Sequence, residues 1–294
     1  MQEKNEVGFT EKHLKILLTY CKTIRKNPKL SYNTFHKEYH PYSRIQSTVT
    51  LINKAYKKGV VYGPLLYANV GIEVHLMDDI DNPSKFLEEC KNDEKTTMAI
   101  PLRGEWSFIH FKYGASMLTY MDQILPGFYS SSNECIENLC VTKKGVLPID
   151  LYPHGWSETH WKIYELMYSP RDCTFKGIGD CMGVHWKTVK KYFLEVLGHC
   201  KVLMSFFPLG DKGYSYHVVT FKTAYEVGIL NALKKLDRTS YIFKVEDIII
   251  LGLFLKPGPK AHEKSTKWFT YLEEVGLIHD LHVSIPWDAY SKFV

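Results

Sequence analysis

One order of segments occurs twice along this chain, and that repetition constrains the fold more than any single motif does. Each copy reads as three helices followed by strands that alternate with further helices. The helix pairs 84–95 and 223–235, and the third helices 43–58 and 184–198, are each offset by about 140 residues. The repeat is architectural, because few residue identities survive between the copies. With 294 residues, 45% of them hydrophobic and 23% charged, the chain can bury a core in each copy, and disorder and collagen-like order are excluded. Its longest apolar run, around Ile248–Leu255, is far short of the roughly 20 residues of a membrane helix. Met1–Gly8 is polar and carries Glu3 and Glu6, unlike a secretory signal, so a cytoplasmic protein is expected.

In the first copy, Thr10 caps a helix on which Leu14, Leu17, Leu18, Cys21 and Ile24 recur at helical spacing, and Asn27-Pro28 ends it. Ser31 caps a short helix through Phe35, and His40-Pro41 makes a turn. A third helix is predicted from near Ser43 to Gly59, with Ile45, Val49, Ile52 and Tyr56 as one buried stripe. Its opposite face presents Ser43, Arg44, Gln46, Ser47, Thr50, Asn53, Lys54, Lys57 and Lys58. A short helix, a tight turn and a polar, basic third helix are the plan of a helix-turn-helix DNA reader. Arg44, Gln46, Ser47 and Thr50 suit base edges, and Lys54, Lys57 and Lys58 suit phosphates.

Charge supports the same expectation. The net +5 conceals +8 over residues 1–62 and −5 over residues 63–126, whereas residues 155–200 carry +1. A basic module fits a polyanion, since neutralised phosphates release counterions.

The residues Leu14-Lys15-Ile16-Leu17, Leu30-Ser31-Tyr32, Ser47-Thr48-Val49, Ala55 to Val61 and Tyr67 to Ile72 resemble the Lrp/AsnC family of feast/famine transcription regulators. The resemblance implies a helix-turn-helix domain joined to a βαββαβ domain that dimerises and binds an effector such as an amino acid. The pattern of residues 69–141 matches that plan. Strands are expected over 69–77, 97–102, 107–113 and 136–141, with helices from Pro83 and over Ala115–Leu125. The family's glycine turn stands as Gly104-Glu105-Trp106-Ser107, the implied effector site, with Ser107 where the family has aspartate.

In the second copy, Ser157 and Thr174 begin two helices, and Gly183 leads to a third whose outer face offers His185, Lys187, Thr188, Lys190 and Lys191. Of these, His185, Lys187, Thr188 and Lys191 are the candidate secondary DNA contacts. Val202–Pro208 and Tyr214–Phe221 flank Gly210-Asp211-Lys212-Gly213 and read as a wing. A helix over Ala224–Leu236, strands over Ser240–Val245 and Ile248–Leu255, a helix over Glu263–Val275 and a strand over His279–Ile285 complete a second βαββαβ order.

The expected fold is therefore α+β, two winged helix-turn-helix domains (1–62 and 155–213) alternating with two ferredoxin-like βαββαβ domains (63–145 and 214–294). The expected function is sequence-specific regulation on double-stranded DNA, as a homodimer or with the tandem copies forming a built-in pseudo-dimer. An RNA-binding sheet carrying Trp106, Phe108, Phe111 and Tyr113, or a protein-interaction scaffold, are the alternatives; the acidic balance of 63–126 weighs against RNA. No catalytic spacing stands out among thirteen histidines, so no enzyme and no cofactor are expected. The seven cysteines include no CxxC pair, and Cys135, Cys140 and His154 could form at most part of a metal or redox site. No metal is expected.

Overall fold

The computed structural model describes residues 7–130, 136 and 139–292. Three helices come first: α1 (Glu11–Lys26), α2 (Tyr32–Tyr39) and α3 (Ile45–Lys57). Thr10 caps α1 reciprocally with His13, its hydroxyl accepting the His13 N–H while the imidazole accepts the Thr10 N–H. After α3 come β1 (Val61–Tyr67), β2 (Ile72–Met77), α4 (Pro83–Asn92), β3 (Thr96–Gly104), β4 (Phe108–Tyr113) and β5 (Leu118–Ile124). The second trio is α5 (Glu158–Leu166), α6 (Phe175–Met182) and α7 (Trp186–Leu197). It is followed by β6 (Lys201–Phe206), β7 (Ser215–Lys222), α8 (Glu226–Leu233), β8 (Ser240–Val245), β9 (Ile248–Leu255), α9 (Pro259–Glu274), β10 (His279–Pro286) and β11 (Tyr290–Ser291). Among the described residues, no helix is long and apolar enough to cross a membrane.

The architecture is α+β with antiparallel sheets. A large sheet runs in the order β2-β4-β3-β10-β7-β9-β8-β5, with β11 also beside β3. The halves of the chain meet twice in it: β3 pairs with β10, and β5 pairs with β8. Between the two contributions lies a core of Ile72, Val74, Ile100, Phe111, Val218, Phe243 and Ile250. A second core, with Phe221, Ile229, Leu233, Trp268, Phe269 and Leu272, fills the space between the sheet and α8 and α9. The two halves of the chain thus pair with each other inside one sheet.

Three expected elements differ. Residues 118–124 form β5 instead of a helix. Met117, Leu118, Met121 and Leu125 fit a helical period, but burial of Leu118 and Tyr120 also fits a period of two, and the free edge of β8 supplies the partner. No strand forms over the described part of 136–141; Leu139 and Val141 instead bury against α8 and α9, and the Trp268 indole donates to the Leu139 carbonyl. The expected wing is absent, because β6 pairs with β1 and β7 pairs with β10 and β9. Both strands are buried on both faces, and a solvent-exposed hairpin would leave one of those faces uncovered.

The helical trios are fastened to each other and to the large sheet. Lys29 donates to the carbonyls of Pro170 and Cys173, and Arg171 donates to the Leu30 carbonyl while its guanidinium lies over Tyr32. Arg25 bonds Asp122 and the Gln123 carbonyl on β5, and Lys201 pairs with Asp150.

Candidate active site

A partly open cavity of about 260 Å³ lies beneath α9, where β7, β9 and β10 meet β3 of the other half. His217 projects into it from β7, on the same face as Val219, and His262 projects down from α9 above Phe269. The two imidazoles have centroids 4.6 Å apart. Val283 and Ile285 of β10 form one wall, and Arg103 and Gly104 enter from the end of β3. Ser265 and Thr266 add hydroxyls from α9.

The lining carries one arginine, two imidazoles and no carboxylate. His217 is 5% exposed, and its Nε2 has no hydrogen-bond partner. Burial, with His262 adding to it, holds the His217 pKa down at about 4, so the ring is neutral at pH 7. A buried polar atom without a partner is costly, and a ligand acceptor or donor placed there would satisfy it. Among the described residues Arg103, exposed at the end of β3, has no side-chain hydrogen bond or ion pair, and no Asp or Glu lines the cavity. A bound carboxylate would therefore meet an uncompensated cation and an imidazole whose protonation it favours. A second depression, of about 350 Å³ around Asp79, Asp81, Asn82, Lys85 and Glu89, is carboxylate-rich and unsuited to an anion.

The predicted effector turn borders this cavity but lines it only through Gly104. At φ 139° Gly104 lets β3 approach β10 closely; a Cβ there would sit 2.5 Å from the Val283 carbonyl oxygen. Trp106 braces the seam between halves, its indole donating to Thr220 Oγ1 at 2.8 Å and its amide to Ser284 Oγ at 3.0 Å. Ser107 donates to the Asp78 carbonyl, and Glu105 lies 4.0 Å from His282.

The predicted reader residues lie elsewhere. Ser43 and Arg44 precede α3, with Arg44 as its cap residue, while Gln46, Ser47, Thr50, Lys54, Lys57 and Lys58 are exposed along it. The buried face is Thr48, Leu51, Ile52 and Ala55, rotated from the expected stripe, and Ile45 is exposed. Lys54 is engaged internally, donating to the Gly8 carbonyl at 2.9 Å and lying over the Phe9 ring. On α7, His185 is the cap residue and accepts the Lys187 N–H; Lys187 lies near the Trp186 ring, Thr188 is half-buried, and Lys191 reaches Glu195 and Tyr192. Neither set approaches the cavity. Among the described residues no group of three metal-ligating side chains occurs, and Cys135 lies outside them.

Sequence reasoning missed His217, His262 and Arg103. The available signal was His217 on the Val219–Phe221 face of an otherwise apolar strand, and His262, Ser265, Thr266 and Phe269 recurring at helical spacing.

Comparison with known proteins gives a likeness of fold over nearly the whole chain. A crystal structure of the siroheme decarboxylase NirDL superposes with TM-score 0.52 at 9% identity, covering 96% of this chain and 92% of that one. A co-complex of NirDL with an iron-uroporphyrin III analogue gives TM-score 0.50 at 10% identity with the same coverage. No family model and no curated protein matches the sequence. These findings correct the expectations of an Lrp/AsnC regulator, of a double-stranded DNA partner and of a protein without enzymatic activity, since the full-length likeness is to an enzyme. The basic face of α3 misled because lysines on a helix fit a solvated scaffold as readily as a DNA groove.

Proposed function

We propose that this chain is a decarboxylase acting on a carboxylate-bearing tetrapyrrole, with the reacting acid group held in the cavity beneath α9. The observation that carries the reading is the buried, unpartnered Nε2 of His217 facing His262 in a cavity with Arg103 at its rim. The likeness to NirDL supplies the substrate class. The α9 cavity is smaller than the roughly 300–1,000 Å³ of whole-ligand pockets, so it suits one acid side arm, with the ring outside.

In this reading the bond between the side arm's carbon and its carboxylate breaks, carbon dioxide leaves, and the electron pair stays on that carbon, which takes a proton. The imidazole pair orients the carboxylate and delivers the proton, while Arg103 holds a neighbouring carboxylate. The apolar walls, Val219, Leu255, Phe269 and Val283, exclude water and raise the energy of the charged acid relative to neutral carbon dioxide. The helical trios, over 1–62 and 155–213, then serve as a helix-turn-helix-shaped scaffold that locks the two sheet units, 63–145 and 214–294, in register.

Anaerobic incubation of the protein with siroheme, followed by mass spectrometry of the extracted pigment, tests the reading. Loss of carbon dioxide from the pigment by wild type but not by His217→Phe is the expected result. Recovery of unchanged siroheme, with no absorbance change on titrating iron uroporphyrin III, would remove it.

A further inference from the structure

We propose that Trp287, with Arg103, forms the outer half of the substrate site, the indole stacking on the ring face of a planar aromatic polycarboxylate. The proposal rests on the decarboxylase reading and adds where the macrocycle lies once its side arm is in the cavity.

The register of β10 fixes the geometry. Ser284 pairs with Gly104, Ile285 with Arg103 and Pro286 with Leu102, and the Trp287 N–H continues the ladder to the Pro101 carbonyl. Val283 and Ile285 line the cavity, whereas Ser284 between them faces Trp106. Trp287 directly follows β10, and continued alternation from the Trp287–Pro101 bond puts it on the cavity face, roughly 7 Å beyond Ile285. Pro101, Arg103, Ile285 and Trp287 thus fall on one face of the sheet, with Arg103 and Ile285 in the cavity lining.

The state of the indole argues for a ligand. Trp106, Trp156, Trp161, Trp186 and Trp268 each contact another aromatic or imidazole ring. Trp287 contacts none among the described residues and is 40% exposed, beside Ile285 at 46%. It is nonetheless held in place, since β11 returns immediately to pair with β3 at Ala99 and Met98. A fixed, open indole on the same sheet face as Arg103, which has no side-chain partner among the described residues, offers one flat apolar face and one positive charge. That pair fits an aromatic ring bearing carboxylates.

Absorbance titration of iron uroporphyrin III against wild type, Trp287→Ala, Trp287→Phe and Arg103→Gln tests the placement, with citrate as a non-aromatic polycarboxylate competitor. Trp287→Ala is expected to weaken macrocycle binding about tenfold, with Trp287→Phe restoring most of it. Citrate competition should change on Arg103→Gln and not on Trp287→Ala. Equal macrocycle affinity for wild type and Trp287→Ala would overturn the stacking role while leaving the decarboxylase reading intact. Absence of binding by wild type would overturn both.

Discussion

The two contributions to the large sheet start with the same order, strand, helix, strand, strand, and then diverge. In the N-terminal half only Gly114–Met117 separates β4 from β5, and α4 covers β3 and β4 through Phe86, Leu87 and Cys90 while the edge strand β2 stays partly open. The outer face there is polar and partly open: Glu73 accepts the Ala115 N–H, pairs with Lys112 and lies 3.4 Å from His75. In the C-terminal half the corresponding connection carries α9, which closes over β7 and β10. The sheet face that α4 covers in one half, leaving an ion-pair network partly open at the β2 edge, carries in the other half a cavity with a buried histidine. The roof of that site is α9, and the first half contributes Arg103 and Gly104 to it at the seam.

The largest expected effect breaks this comparison at the chemistry. His217→Phe keeps an apolar ring of similar size in the cavity but removes the buried imidazole. Decarboxylation should fall by about 10²–10⁴-fold, measured as carbon dioxide released per enzyme under single-turnover conditions. A rate within a few fold of wild type would place the chemistry elsewhere.

Packing gives the next effect. Phe269 is 1% exposed between α9 and the sheet, against Phe221 and Trp268. Phe269→Ala should cost about 3–5 kcal/mol in urea unfolding. Phe86, half-buried on α4 of the other half and edge-on to Phe108, should cost about 1–2 kcal/mol when truncated. Similar losses at both positions would mean that α9 is no more essential to its half than α4 is.

These asymmetries explain what the sequence discloses. Local signals carried the helices well: the Thr10, Ser31 and Asn82 caps and the apolar spacing of α1 and α4 are written within a few residues of each other. The strand pairing is not local. Whether Leu118–Ile124 becomes helix or strand depends on the free edge of β8, and whether β6 makes a wing depends on β1, each more than a hundred residues away. The site shares that property, since His217, His262 and Arg103 come from three elements and both halves. No short motif contains them, whereas the basic residues of α3 lie together in sequence and invited a reading the fold does not support.

The halves should also lose stability in separate pH windows. His217 has its pKa held near 4 in the folded protein, below the ordinary 6.5 of the unfolded chain. The unfolded state therefore takes up the proton first, and stability falls as pH drops from about 6.5 towards 4, then levels. Glu73, held at about 2 by the Ala115 N–H and then by Lys112, behaves differently. Its contribution is present above the ordinary carboxylate value of 4.5 and is lost as pH falls from there towards 2. Urea midpoints measured across pH 3–7 should flatten in the upper window for His217→Phe and in the lower one for Glu73→Gln. A single shared window would show that the two faces are not electrostatically independent.

The smallest effect is expected from the first half's own histidine. His75 is half-exposed on the open face, 6.4 Å from the His110 ring, and its contact with Glu73 is long for a hydrogen bond. His110 is buried and bonded to Thr96 Oγ1, so it holds the strand pair together without facing a cavity. His75→Ala should change stability by no more than about 0.5 kcal/mol and leave decarboxylation within twofold, measured beside His217→Phe in the same assay. A loss of activity comparable to that of His217→Phe would show that the first half carries chemistry of its own, because none of the contacts of His75 among the described residues reaches the α9 cavity.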